Sequence, residues 1–225
     1  LVVVPGFIDL HAHLREPGFE KKETVYTGSR AAAKGGFTTV CCMPNTNPVV
    51  DQAAVVELLK DIIKSDSVIR IIPIGAITKG SKGKELSPMY ELADAGVVGF
   101  SDDGNPVSNA SVLLKALNYS KPLGLFVIDH CEDLSLSGGA QVNEGLISDK
   151  LGLQGYPSVS EEIIIDRDVR LAEVTGAHLH IAHVSTTVGV EIIRQAKKRK
   201  ITVTAEVTPH HLLLTEEAVL GYQTS

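Results

Sequence analysis

Three cysteines among 225 residues are too few for a disulfide framework, and two of them, Cys41 and Cys42, are neighbours in a strand-like run that should turn their side chains to opposite faces. Reduced, buried thiols are expected. No stretch approaches the roughly 20 apolar residues that a membrane span requires, which excludes a transmembrane segment. Leu1-Val2-Val3-Val4 is too short for the apolar region of a secretory signal and has no basic residue before it, so a cytoplasmic location is expected. Positive charge is scarce as well. A formal net charge of −6 with scattered Lys and Arg offers no footprint for a phosphate backbone. The one dense basic cluster, Lys197 to Lys200, ends an apparent helix, where cations complement the dipole. Nucleic acid is not an expected partner. Also absent are a G-x-S-x-G elbow, a phosphate-cradling loop and a dinucleotide-binding fingerprint. Nothing around Cys41 and Cys42 would activate a thiol. What remains is a water nucleophile activated by a metal.

With 44% hydrophobic residues, the chain can bury a sizeable core. Seven short apolar runs read as strands: Phe7 to Leu10, Phe37 to Met43, Ile69 to Ile77, Val97 to Phe100, Leu123 to Ile128, His178 to Ala182 and Ile201 to Val207. Helical patterns lie between them. Val55, Leu58, Leu59, Ile62 and Ile63 follow an i, i+3, i+4, i+7, i+8 stripe after an Asp51 cap. Ser87-Pro88 opens a second helix that Gly96 closes, and Ser158 with Glu161 forms a capping box for a third that Gly176 ends. Leu134 to Gly155, rich in Gly and Ser, reads as a long loop. Apolar strands alternating with helices imply a parallel sheet covered by helices. Polar residues gather just past the strand ends: His11, His13, Asn45, Thr78, Asp102, Asp103, His130, His183 and His210. That convergence favours a (β/α)8 barrel over a doubly wound sheet, with about seven of eight β/α units within residues 1–225.

The sharpest chemical signal is His11-Ala12-His13-Leu14-Arg15, because residues two apart on a strand share a face and can reach one metal ion. Asp9 lies beneath them as a residue that could orient a ligand. His130 follows Phe126 and Ile128 on one face of its strand. His183 follows Leu179 and Ile181 in the same way, whereas His178 and His180 fall on the other face and read as packed under the helices. Ser101-Asp102-Asp103-Gly104 offers two carboxylates, one of which could bridge two cations while the other makes a turn. Imidazole and carboxylate donors without a thiolate cluster suggest zinc first, with manganese or cobalt as rivals. Arg15 and Asn45 should face the same cavity, where a guanidinium fork suits a substrate carboxylate.

Pro5-Gly6-Phe7-Ile8-Asp9-Leu10-His11-Ala12-His13-Leu14-Arg15-Glu16-Pro17-Gly18 resembles the opening barrel strand of the dihydroorotases of the amidohydrolase superfamily, bacterial class I type. Gly35-Gly36-Phe37-Thr38-Thr39, Met43-Pro44-Asn45-Thr46, Ser101-Asp102-Asp103-Gly104, His130-Cys131-Glu132-Asp133, Ala182-His183-Val184-Ser185 and Thr208-Pro209-His210-His211 continue the resemblance in order. It implies His11, His13, His130 and His183 as metal ligands and an aspartate bridging one or two zinc ions, Asp103 preferred and Asp102 its rival. It also implies that Arg15 and Asn45 hold the substrate carboxylate. The implied reaction is reversible cyclisation of N-carbamoyl-L-aspartate to L-dihydroorotate. The family's flanking β domain and its eighth strand, which carries the acid/base aspartate, are expected outside Ser225 and Leu1, so residues 1–225 alone are expected to be inactive or weakly active. Rival readings are another cyclic amidase, of the hydantoinase or allantoinase kind, and a non-catalytic partner of aspartate transcarbamoylase. Homo-oligomerisation, or association through an unpaired strand edge, is a further expectation.

Overall fold

A computed structural model describes residues 2–221. In chain order the elements are β1 (Phe7–Ala12), α1 (Val25–Lys34), β2 (Phe37–Cys42), α2 (Ala53–Asp66), β3 (Arg70–Pro73), α3 (Met89–Ala95) and β4 (Gly99–Ser101). There follow α4 (Ala110–Leu123), β5 (Phe126–Asp129), α5 (Leu134–Ser137), β6 (Val142–Asn143), α6 (Leu146–Leu151) and β7 (Gly155–Tyr156). The last are α7 (Val159–Thr175), β8 (Leu179–Ile181), α8 (Thr187–Lys198), β9 (Val203–Ala205) and α9 (Pro209–Leu213). The fold is α/β. Parallel strands run β1-β2-β3 in one sheet and β4-β5-β8-β9 in another. Gly75 stitches the two together: its N–H donates to Gly99 O at 3.0 Å and its carbonyl accepts from Ser101 N–H at 2.9 Å. Among the described residues β1 pairs only with β2 and β9 only with β8. A cleft of about 610 Å³ is lined by residues of both, and Phe7, Ile8 and Val207 at this margin are exposed.

Helices cover one side of the strands. Val40, Cys42, Phe100, Val127, Leu179 and Ile181 pack there against Leu59, Leu92, Leu117, Ile165 and Val169. Each fully buried aliphatic or aromatic side chain of this layer contributes roughly 1.5–3 kcal/mol. A smaller cluster occupies the other side, where Cys41, Met43, Ile74, Ile128 and Ala182 meet Ile72, Val98 and Phe126. Cys41 and Cys42 thus lie on opposite faces, as their adjacency in a strand predicts. Burial pushes the Cys41 thiol up to about 11 and the Cys42 thiol up to about 12, and it raises Cys131 well above the usual range. Native protein treated with iodoacetamide at pH 8 is therefore expected to carry no label at Cys41, Cys42 or Cys131 by peptide mass spectrometry, and full label in guanidinium. Rapid native labelling of any of the three would contradict this packing.

Several local expectations are corrected by longer-range partners. Asp51 does not cap α2; its carboxylate accepts Gly80 N–H at 2.7 Å, and Gln52 stands at the cap without a side-chain bond. Ser87 donates to Ala76 O at 2.5 Å and Pro88 takes the N-cap of α3, so that proline precedes the first turn. Ser158 and Glu161 form no capping box, since Ser158 already has helical dihedrals and makes no cap bond. The stretch read as a loop from Leu134 to Gly155 contains α5, α6 and the β6–β7 pair. Asp133 caps α5 and Ser148 closes the start of α6 on Gly145, so its serines and glycines serve as helix ends.

Candidate metal centre

The ends of four strands, β1, β4, β5 and β8, bring four of the sequence-predicted histidines and one aspartate together. Asp103, just past β4, lies in the middle. Its Oδ1 is 2.9 Å from His11 Nε2 and its Oδ2 is 3.4 Å from His13 Nε2. On the other side His130 Nδ1 and His183 Nε2 are 2.9 Å apart. Donor atoms of His11, His13 and Asp103 lie within 4.8 Å of one another, and so do those of Asp103, His130 and His183. Asp103 is common to both triples. Asp102 points elsewhere: it accepts Thr78 N–H at 2.9 Å and the Thr78 hydroxyl, and burial raises its carboxyl to about 6. Alternation explains the choice. Gly99 faces the inner side, where a Cβ would fall 2.9 Å from the Phe126 ring, and Asp103 shares its parity while Asp102 shares that of Phe100 under the helices.

The route by which His183 arrives differs from the expectation. Leu179 and Ile181 pack under the helices, and His178 and His180 point inward, the reverse of the assignment made from the sequence. The ring of His180 lies 6.4 Å from that of Phe126. By parity His183 would then turn toward the helices. It does not, because its φ is 32°, a left-handed backbone that swings the side chain back beside His130. His210 stands apart, exposed in α9.

Two partners of the cluster escaped the sequence reading. Glu206, just past β9, meets His11 Nδ1 at 2.5 Å through Oε1 and lies 3.3 Å from His180 Nε2 through Oε2. Glu132 accepts from His130 at 3.0 Å. Glu132 lies in the His130-Cys131-Glu132-Asp133 stretch without a role assigned from sequence, and Glu206 sits just past a strand end like the other polar residues. Asn45 bridges the cluster, with Oδ1 3.2 Å from His13 Nδ1 and Nδ2 donating to Asp103 Oδ2 at 3.0 Å. Asp9 accepts the His11 backbone N–H at 2.9 Å, so it steadies the strand rather than a ring. Arg15 has φ 60° and no carboxylate partner among the described residues; its charge acts on His13.

Electrostatics fit a cation. Burial disfavours a charged His11, yet the hydrogen bonds its ring donates to Asp103 and Glu206, with the charges of both carboxylates, outweigh it and raise the ring to about 10. Burial and the neighbouring His130 and His11 charges lower His183 to about 4, and burial also lowers His13. Burial would raise Asp103, but the His11 hydrogen bond and the surrounding imidazoles hold it below the usual carboxylate range. Glu206 is brought down to about 2, His11 and His180 outweighing its burial. The cluster thus combines carboxylates that stay ionised with imidazoles at His13 and His183 that keep a free lone pair, while the His11 proton, held between Asp103 and Glu206, is the one a divalent metal would displace.

Behind the cluster lies a second charged group. Arg167 on α7 donates to Asp168 Oδ1 at 2.6 Å and to Ser108 O at 2.9 Å, and it stands 3.6 Å from Asp129 Oδ2, the residue before His130. Burial and Asp168 push the Asp129 carboxyl well above the usual range, and burial raises Asp168 also. Cys131 lies 3.6 Å from Asp168, but the guanidinium makes this trio an ion-pair site and a poor place for a cation.

No helix among the described residues is long and apolar enough to cross a membrane. The solved structures that this chain resembles include L-hydantoinase (dihydropyrimidinase) from Arthrobacter aurescens, with TM-score 0.79 and 21% identity over 96% of this chain and 49% of that one. A D-hydantoinase matches with TM-score 0.75 and 24% identity, covering 96% of this chain and 49% of its own. Such likeness carries the fold alone. In sequence, the dihydroorotase of Pelotomaculum thermopropionicum is 57% identical over 224 residues, 100% of this chain and 52% of the relative. That of Caldanaerobacter subterraneus subsp. tengcongensis is 52% identical over 223 residues, 99% of this chain and 52% of the relative. The chain therefore spans about half the length of the curated relatives it matches. A family model described as Dihydro-orotase-like matches residues 1–188, and with that match and these identities the chain belongs to the dihydro-orotase-like family.

Proposed function

We propose that the full-length protein carrying this chain catalyses the zinc-dependent, reversible cyclisation of N-carbamoyl-L-aspartate to L-dihydroorotate, a step of pyrimidine biosynthesis. The observation that carries this reading is the Asp103 carboxylate standing between the His11–His13 and His130–His183 pairs, with Arg15, which has no carboxylate partner among the described residues, close enough for its charge to act on His13. In it His11, His13, His130 and His183 would hold one or two zinc ions, with Asp103 as the carboxylate ligand shared between the two histidine pairs. When bound, such a cation activates water near neutral pH and polarises an amide carbonyl. Glu206, Glu132 and Asn45 keep the rings turned toward the centre by occupying their outer nitrogens. Arg15 holds the ring carboxylate, and Asn45 adds a donor to it while bridging His13 and Asp103.

The seven parallel strands serve in this reading as seven units of a (β/α)8 barrel, residues 1–225 forming its incomplete amidohydrolase domain. In this reading the eighth unit, with the acid/base aspartate, would fill the cleft between β1 and β9, and the exposed apolar margin of Phe7, Ile8 and Val207 there supports that placement. The reading is of a cytoplasmic enzyme acting on a small molecule.

Zinc-loaded full-length protein should hydrolyse dihydroorotate. Arg15→Ala should raise KM for dihydroorotate about 10- to 100-fold, the loss of roughly 1.5–3 kcal/mol of charge-assisted hydrogen bonding. Turnover of hydantoin without turnover of dihydroorotate would replace this reading with a different cyclic amidase.

A further inference from the structure

One buried carboxylate on α7 has no part in the function proposed above. Glu161 lies in the first turn of that helix, is 5% exposed, and reaches across to the turn between β8 and α8. Its Oε1 accepts the Ser185 N–H and hydroxyl, both at 2.9 Å. Its Oε2 accepts the Thr186 N–H at 2.9 Å and the Thr186 hydroxyl at 2.6 Å. A carboxylate offers about four acceptor positions, so two consecutive residues consume its whole capacity.

Those residues are the second and third after His183, whose φ of 32° turns its ring inward against the alternation of its strand. A bulky residue keeps a positive φ only where its surroundings over-determine the backbone. We propose that Glu161 is a positioning residue for His183: by locking the Ser185–Thr186 turn it holds the left-handed backbone that presents the imidazole to His130 and Asp103. This rests on the metal-centre reading.

The neighbourhood is built around the clamp. A Cβ on Gly189 would lie 2.7 Å from Thr186 Oγ1 and 3.2 Å from Glu161 Oε2, so glycine there leaves the carboxylate its room. The Thr186 hydroxyl accepts Gly189 N–H at 3.1 Å as the cap of α8, which commits its proton to Glu161. Glutamine at 161 has almost the same shape but only one acceptor oxygen. Whichever way its amide turns, the NH2 faces a backbone N–H of Ser185 or Thr186 that cannot rotate away.

The test uses cobalt-loaded full-length protein: wild type, Glu161→Gln and His183→Ala, read by cobalt affinity, cobalt bound per chain, the visible d–d spectrum and circular dichroism. Glu161→Gln is expected to keep wild-type circular dichroism, to bind cobalt about 10- to 100-fold more weakly, and to shift the spectrum in the same direction as His183→Ala. Wild-type affinity and spectrum in Glu161→Gln, beside a changed His183→Ala, would overturn the positioning role and leave the metal centre standing, whatever happened to the melting temperature. A wild-type spectrum in His183→Ala would instead overturn the metal-centre reading, and the positioning role with it. If Glu161→Gln does not accumulate folded, Ser185→Ala removes one hydroxyl donor to the carboxylate and keeps both backbone bonds and the Thr186 cap of α8. A shifted cobalt spectrum in that variant supports the clamp, and a wild-type one rejects it.

Discussion

Replacing Asp103 with alanine in the full-length protein is expected to lower kcat/KM for dihydroorotate by more than about 100-fold and to release most of the bound zinc. Removing a residue that merely orients a ligand already costs about 10- to 100-fold, and Asp103 pairs with His11 and His13 and offers a donor atom within 4.8 Å of those of His130 and His183. Its loss also leaves the His11 ring with Glu206 as its one remaining carboxylate partner among the described residues, so the imidazoles face each other with less negative charge among them. Asp103→Asn separates the two effects, since it keeps the shape and removes the charge. Zinc content by plasma emission and steady-state rates on the same samples provide the check. Undiminished zinc in Asp103→Ala would show that the carboxylate is not a ligand, and the paired-histidine arrangement would need another explanation.

Arg167→Met should be the most destabilising of the substitutions considered, by about 3–5 kcal/mol, because it leaves Asp129 and Asp168 buried without their cation. The pH dependence has a definite sign. Both carboxyls lie above their ordinary values in the folded protein, and without the guanidinium they rise further. A raised carboxyl binds its proton more tightly when folded than unfolded, so stability is fully present below the unfolded value near about 4 and is lost as pH rises through the folded value. Urea unfolding should therefore show a difference between Arg167→Met and wild type that is smallest near pH 5 and grows toward pH 8. Adding Asp129→Asn and Asp168→Asn should recover much of the loss and flatten that dependence. A pH-independent difference would mean that packing of the arginine stem, not charge, accounts for the loss.

Much of the strand and helix order was legible in the sequence. Seven parallel strands and the major helices fall where apolar runs and periodicity put them, because each depends on neighbours a few residues away. The caps were less legible. Asp51, Ser87 and Glu161 are the residue types that favour helix starts, yet each spends its side chain on a segment distant in the chain. His183 was identified, but the parity argument for it fails: Leu179 and Ile181 face the helices, and a single left-handed residue restores the inward direction. Alternation describes a strand only while its dihedrals remain extended, and nothing in Ala182-His183-Val184 announces the change.

The sequence by itself determined the α/β order, the histidine and aspartate candidates and the family they resemble, since these follow from local spacing and from motifs read in order. Only the tertiary structure decided that Asp103 and not Asp102 meets the histidines, that Glu206 grips His11 across 195 positions, and that Glu161 serves the turn after His183. The reason is physical: a buried carboxylate goes to whichever donors the packed fold brings within about 3 Å, and that proximity is created by the assembly of strands, not by the residues beside it in the chain.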